Sequence, residues 1–140
     1  MPDTKVLDSW ALLAWLLDQP AAAHVESLLE QAERGDLSLS ISWISAGEVY
    51  YMTARKRGSA QAEEFLARLP SLPLHLVSPA AAGIVNAAKL KSKYRISYAD
   101  AFAAALAMQD RAVLVTGEPE LRALSETVPV EWIGTLRNIL

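Results

Sequence analysis

Four carboxylates, Asp8, Glu48, Asp100 and Glu118, each sit where a short apolar segment hands over to a helical one, or in the first turn of such a helix. They come from four separate parts of the chain. Gathered together they would repel one another, so a cluster makes chemical sense mainly around a cation. An all-oxygen ligand set favours Mg2+ or Mn2+ over Zn2+. Such ions act on phosphoryl oxygens, activating a water and stabilising charge on both oxygens of an in-line displacement. For the four acids to meet, the segments that precede them must lie side by side in one parallel sheet. Ligands of such sheets bind in the crevice outside the carboxyl ends of the strands.

Each acid also has an ordinary structural role. Asp8 is a good helix N-cap, although Ser9 beside it would serve equally well. Glu48 stands three residues after Ser45, the spacing of a capping box, yet its neighbours Ala46, Val49 and Tyr50 face a core, where a carboxylate needs a partner. Asp100 stands three residues after Ser97, with Tyr98, Ala99, Ala101 and Phe102 around it; this apolar setting favours a crevice over free solvent. Glu118 suits the first turn of a helix, where the dipole favours a negative charge. Thr116 nearby offers a hydroxyl that can orient a water or a carboxylate. Any one of the four could be a simple capper. All four together, on the ligand-binding side of one sheet, point to a shared site.

The elements that must position them follow from hydrophobic spacing and punctuation. Lys5 to Leu7 reads as a buried strand entering Asp8, and Ser9 to Leu17 as a helix. Pro20 opens a second helix over Ala21 to Arg34, closed by Gly35. Leu37 to Ile41 reads as a strand. Ser42 or Ser45 caps a helix through Arg57, ended by Gly58, and Ser59 starts another that stops before Pro70. Leu74 to Val77 is a third strand. Ser78-Pro79 then reads as an N-cap followed by proline at the first helical position, with the helix running to about Tyr94. Ser97 caps a helix through about Arg111. Ala112 to Val115 is the clearest strand, short and continuously apolar as in a sheet covered on both faces. Glu118 to Leu124 reads as a short helix and Val130 to Ile133 as a last strand. Strands alternating with helices predict an α/β fold with a central, mainly parallel sheet.

The chain has 140 residues and is 52% hydrophobic, enough for the core of one domain spanning 1–140, with no linker or repeat dividing it. There is no cysteine, which excludes disulfides and thiolate metal sites. Met-Pro-Asp-Thr-Lys lacks the basic-then-apolar run of a secretory leader, and the longest apolar stretches are too short to span a bilayer. The expectation is a soluble, cytoplasmic protein. A net charge of −3 argues against binding nucleic acid by bulk electrostatics, so a polyanionic substrate needs a local basic patch or a bound metal. Lys89, Lys91, Lys93 and Arg95 lead into the Asp100 helix, and Arg55, Lys56 and Arg57 end the Glu48 helix. Cations at helix C-termini are ordinary solvated groups, but the first run is placed to flank the crevice and hold a phosphate backbone. His24 and His75 read as structural. Trp10, Trp15, Trp43, Trp132, Tyr50 and Tyr51 read as core or oligomer contacts.

In order and spacing, Val6-Leu7-Asp8-Ser9, Ile44-Ser45-Ala46-Gly47-Glu48-Val49, Ser97-Tyr98-Ala99-Asp100-Ala101 and Val113-Leu114-Val115-Thr116-Gly117-Glu118 resemble the PIN-domain ribonucleases. Length and compactness are similar to the VapC toxins of VapBC toxin–antitoxin pairs. The resemblance implies a three-layer α/β/α sandwich and an acidic cluster that binds Mg2+ or Mn2+ and cleaves RNA. It implies Asp8 and Asp100 as the principal metal ligands, Glu48 as a direct or water-mediated helper, Glu118 in the fourth acidic place, and Ser9 and Thr116 in support. It further implies a homodimer and inhibition by a VapB-type antitoxin whose C-terminal segment blocks the crevice. The fourth acid of the family is commonly Asp; here it is Glu118, one methylene longer, which bears on the number of metals held.

Other classes fit less well. A haloacid-dehalogenase-type phosphatase needs a second Asp two residues after the first, and position 10 is Trp. A phospho-acceptor receiver domain needs an acidic pair after the first strand, an acceptor Asp after the middle one and a late Lys; Leu7 precedes Asp8, Ser78-Pro79 follows the third strand, and no Lys follows Lys93. The serious rival is a catalytically silent PIN-like module that binds RNA or protein.

Overall fold

In a computed structural model, which describes residues 3–134, alternation of strand and helix runs the length of the chain. The order is β1 (Asp3–Leu7), α1 (Ser9–Leu16), α2 (Ala22–Glu33), β2 (Leu37–Ser42), α3 (Trp43–Arg57), α4 (Ser59–Arg68), a 3-10 turn (Leu69–Ser71), β3 (His75–Val77), α5 (Ala81–Lys93), α6 (Tyr98–Asp110), β4 (Val113–Thr116), a 3-10 helix (Pro119–Leu124) and β5 (Val130–Trp132). The five strands form one sheet in the order β3-β2-β1-β4-β5, every neighbouring pair parallel.

Successive residues of a strand point to opposite faces, and the apolar strands use both. Val6 and Leu114 join α5 and α6 in one core cluster, with Ala101, Ala104 and Ala107. Leu7 and Val115, their immediate successors, join α1, α2 and α3 in the other, with Leu12, Val25 and Val49. Helices therefore cover both faces, giving the α/β/α sandwich. The run of small residues Ala103 to Ala105 and Ala107 lets α6 sit close on the sheet, and all four are buried.

From β1 the chain builds outward through β2 to β3, then crosses back to place β4 on the other side of β1. The order thus reverses between β1 and β4. Their carboxyl ends, Leu7 and Val115, lie in register, so Asp8 and Thr116 emerge together at this switch point.

Several boundaries differ from those expected. Ser42, not Ser45, caps α3: its hydroxyl accepts the Ile44 N–H at 3.1 Å, because β2 runs straight into the helix without a loop. Ser78-Pro79 does not start α5; Ala80 is still extended and the helix begins at Ala81 without a side-chain cap. Thr116 belongs to β4 rather than to the turn after it, and the expected helix at Glu118 is a 3-10 segment from Pro119. Of the aromatics read as core or oligomer contacts, Trp43 and Tyr51 are exposed, which removes the core role for these two. Gly35 and Gly58 end their helices with positive φ, as their residue type suggests.

Helix α6 ends on Arg111 in the left-handed region, with φ of 52° and ψ of 44°. That backbone is costly for a residue with a Cβ. Arg111→Gly is therefore expected to raise stability by about 0.5–1 kcal/mol in urea denaturation; an unchanged or lower midpoint would show that this helix end stores no strain.

Candidate metal centre

Asp8 leaves the end of β1 and caps α1. Its Oδ1 accepts the Ala11 N–H at 2.8 Å, its Oδ2 accepts the Thr116 hydroxyl, and its own N–H reaches the Val115 carbonyl at 3.3 Å. Capping and site membership are thus combined in one residue, and Ser9 does not cap. The Asp8 side chain is wholly buried. Thr116 Oγ1 also accepts the Glu118 N–H at 2.9 Å, so one hydroxyl ties the loop after β4 to Asp8.

Asp100 stands in the first turn of α6, where the Ser97 hydroxyl caps its N–H at 3.1 Å. Only 6% of its surface is exposed. Glu48 projects from the second turn of α3 and accepts the Tyr51 hydroxyl at 3.2 Å. A cleft of about 170 Å³ is lined by Glu48, Asp100, Glu118 and Glu120, with Ser9, Ser97 and Trp10 among its other walls. Asp8 lies beneath it, close enough that Glu118 and Glu48 act on its charge. The four sequence-predicted acids are therefore neighbours.

A fifth acid, Glu120, is new. Its Oε1 accepts the Ser97 N–H at 2.8 Å and its carboxyl hydrogen-bonds that of Asp100. The signal for it was the Glu-Pro-Glu spacing. Pro119 opens a 3-10 segment, which sets Glu120 in its first turn beside the cleft.

The electrostatics follow from this crowding. Burial pushes the Asp8 carboxyl from its ordinary 3.8 up to about 7; the Thr116 and Ala11 hydrogen bonds oppose that rise, and Glu118 and Glu48 add to it. Burial, the hydrogen bond that the Asp100 carboxyl donates to Glu120, and the charges of Asp8 and Glu118 raise Asp100 as well. Glu120 is held below its ordinary value, first by Asp100 and then by Ser97 and Lys91. Burial and Glu120 raise Glu118.

Whether a divalent cation suits these residues can be judged from the donors. All are hard oxygens, they repel one another, and the buried Ser9 hydroxyl beside them has no hydrogen-bond partner. This set fits Mg2+ or Mn2+ and does not fit a soft ion. Among the described residues, no three acidic or histidine side chains stand close enough to enclose an ion as they are placed. Asp8 is turned to Ala11 and Thr116, and Asp100 to Glu120.

The basic run is only partly recruited. Lys91 Nζ donates to the Ile96 carbonyl at 2.9 Å and its charge is felt by Glu120. Lys89, Lys93 and Arg95 are exposed, and none lines the cleft. His24 pairs with Glu131 at 2.7 Å, away from the acids. Trp10 is a wall of the cleft rather than core. Its ring packs on Gly117 and Gly134 so closely that a methyl group at either position would overlap it.

A PIN-domain family model matches residues 5–126. The chain belongs to the PIN-domain family, whose fold the five-stranded parallel sandwich reproduces. Solved structures of similar fold include VapBC2 from Rickettsia felis bound to a DNA fragment of its promoter, with 18% identity, a TM-score of 0.72, and coverage of 91% of this chain and 97% of that one. VapC20 of Mycobacterium tuberculosis, a sarcin–ricin-loop-cleaving toxin, is 13% identical with a TM-score of 0.70, covering 85% and 93%. VapBC-1 from nontypeable Haemophilus influenzae is 17% identical with a TM-score of 0.67, covering 92% and 97%. Comparison with curated proteins finds no match to this sequence.

Two outcomes follow. Thr116→Val keeps the shape but removes the hydroxyl shared by Asp8 and Glu118; calorimetric or denaturant unfolding should show a loss of about 1–3 kcal/mol, the cost of leaving buried polar groups unpaired. The second concerns pH. The folded chain keeps a proton on Asp8 up to about pH 7, whereas the unfolded chain releases it near 3.8. The folded state then binds more protons across that window, so the cation-free chain loses stability as pH rises through it. Asp100 acts in the same direction. Added Mg2+ or Mn2+ should therefore raise the melting temperature more at about pH 8 than at about pH 5; an equal shift at both would show that the ion does not meet these carboxylates.

Proposed function

We propose that this chain is a divalent-metal-dependent endoribonuclease that acts as the toxin of a VapBC-type toxin–antitoxin pair. The observation that carries this reading is the cleft lined by Glu48, Asp100 and Glu118 at the switch point of a PIN sheet, with the buried Asp8 near enough for Glu48 and Glu118 to act on its charge. Structural likeness to VapBC complexes and to a toxin that cleaves the sarcin–ricin loop supports it further.

Asp8 and Asp100 are assigned as the ligands of Mg2+ or Mn2+, with Glu48 and Glu118 completing the site through direct or water-mediated contacts. When bound, the ion supplies positive charge to phosphoryl oxygens and makes a nearby water more acidic. The protein's share is placement. Thr116 and the Ala11 N–H fix the rotamer of Asp8. Ser97 fixes the start of the helix that presents Asp100. Glu48, half-buried in the cleft lining, is assigned as the acceptor of a proton from an attacking water. Lys91, whose charge reaches Glu120, is assigned to offset the acidic floor for a polyanion, and the exposed Lys89, Lys93 and Arg95 are proposed to contact the phosphate backbone outside the cleft. Water attack in line with the 3′ oxygen leaves a 5′-phosphate product.

A VapB-type antitoxin, a homodimeric assembly and a cytoplasmic site of action belong to the same proposal. Among the described residues no helix is long and apolar enough to cross a membrane. A silent PIN-like binding module is the second reading, favoured by the glutamate at position 118 and by carboxylates engaged with their own neighbours.

Asp8→Asn and Asp100→Asn separate the two. Each is expected to lower Mg2+-dependent cleavage of RNA by roughly 100-fold or more while circular dichroism shows the fold intact. Cleavage that persists in both variants removes the nuclease reading. Products ending in 2′,3′-cyclic phosphate would show that the RNA's own hydroxyl attacks, and the water mechanism would be wrong.

A further inference from the structure

Ser97 and Asp100 occupy the N-cap and third positions of α6, the pair that bond reciprocally in a capping box. Only half of the box is closed. The Ser97 hydroxyl accepts the Asp100 N–H at 3.1 Å. The returning bond, from the Ser97 N–H, goes to Glu120 Oε1 at 2.8 Å, 23 positions along the chain. Glu120 also hydrogen-bonds the Asp100 carboxyl and lines the same cleft.

We propose that Glu120 is a positioning residue of the metal centre: by taking the Ser97 N–H it frees the Asp100 carboxyl from capping its own helix and holds it toward the cleft. This rests on the reading that the cleft takes a divalent cation. The logic is one of supply. A helix N-terminus must find acceptors for its free N–H groups. If Glu120 is truncated, the acceptor nearest in sequence for Ser97 is Asp100 itself, and a carboxylate engaged as a cap is withdrawn from a ligand set. What Ser97 requires is an acceptor oxygen, not a charge. Glutamine supplies one, and its amide can donate to Asp100. A metal ligand, by contrast, would need the full carboxylate.

The experiment compares Glu120→Ala and Glu120→Gln in the whole chain. Mn2+ affinity is measured by titration calorimetry, and the Ser97 amide by 15N–1H NMR without metal. Glu120→Ala is expected to weaken Mn2+ binding on the order of 10–100-fold and to move the Ser97 resonance. Glu120→Gln is expected to bind Mn2+ like the unsubstituted chain, with the Ser97 resonance near its original place. Equal losses in both variants would make Glu120 a charged ligand and overturn the positioning role, as would full affinity in Glu120→Ala. If the unsubstituted chain binds no Mn2+, the metal reading fails; the Ser97 resonance then decides separately, and its failure to move in Glu120→Ala refutes the contact.

Discussion

A carboxylate with no access to water, Asp8 at the end of the central strand, is the constraint from which the site's organisation follows. Burial penalises its charge, and two hydrogen bonds, from Ala11 and Thr116, keep it in place. Those bonds reach into α1 on one side and β4 on the other. The same side chain that would be a liability in an ordinary core thus joins the two elements between which the strand order reverses. Thr116 carries the linkage outward by accepting the Glu118 N–H, so the loop after β4 takes its position from Asp8.

Around this centre the fold supplies compensation without neutralising the acids outright. Helices α1 and α6 both begin at the cleft, capped by Asp8 and Ser97, and their N-termini carry partial positive charge. Lys91 adds a full charge near Glu120. Burial is nevertheless the main influence on Asp8 and Asp100, with repulsion from their acidic neighbours adding to it, and both carboxyls stand above their ordinary range. A site in this condition gains most from an incoming cation.

Much of this was legible in the residues themselves. The strands were readable because fully covered parallel strands are continuously apolar, as in Val113 to Val115, and Asp8 and Glu118 stood out because each comes just after such a run, whereas Glu48 and Asp100 stood out by their spacing from Ser45 and Ser97. What escaped was local. Both Ser42 and Ser45 are suitable caps, and the choice depends on whether a loop separates β2 from α3, which spacing alone does not reveal. Asp8 and Ser9 pose the same ambiguity, resolved by where the first helical residue falls. Proline at 79 suggested a helix start that the extended Ala80 delays. Glu120 escaped because its partner is Ser97, and a hydrogen bond across 23 residues leaves no periodicity to find.

Trp10, wedged against Gly117 and Gly134, carries an implication for how this sequence can drift. The indole leaves no volume for a side chain at either glycine, and those glycines sit beside the fourth acid and just after the last strand. The three positions are consequently coupled by size: Ala at 117 or 134 requires the Trp10 indole to move aside or to give way to a smaller residue. A change of size at any one of the three is felt at the ring that walls the cleft.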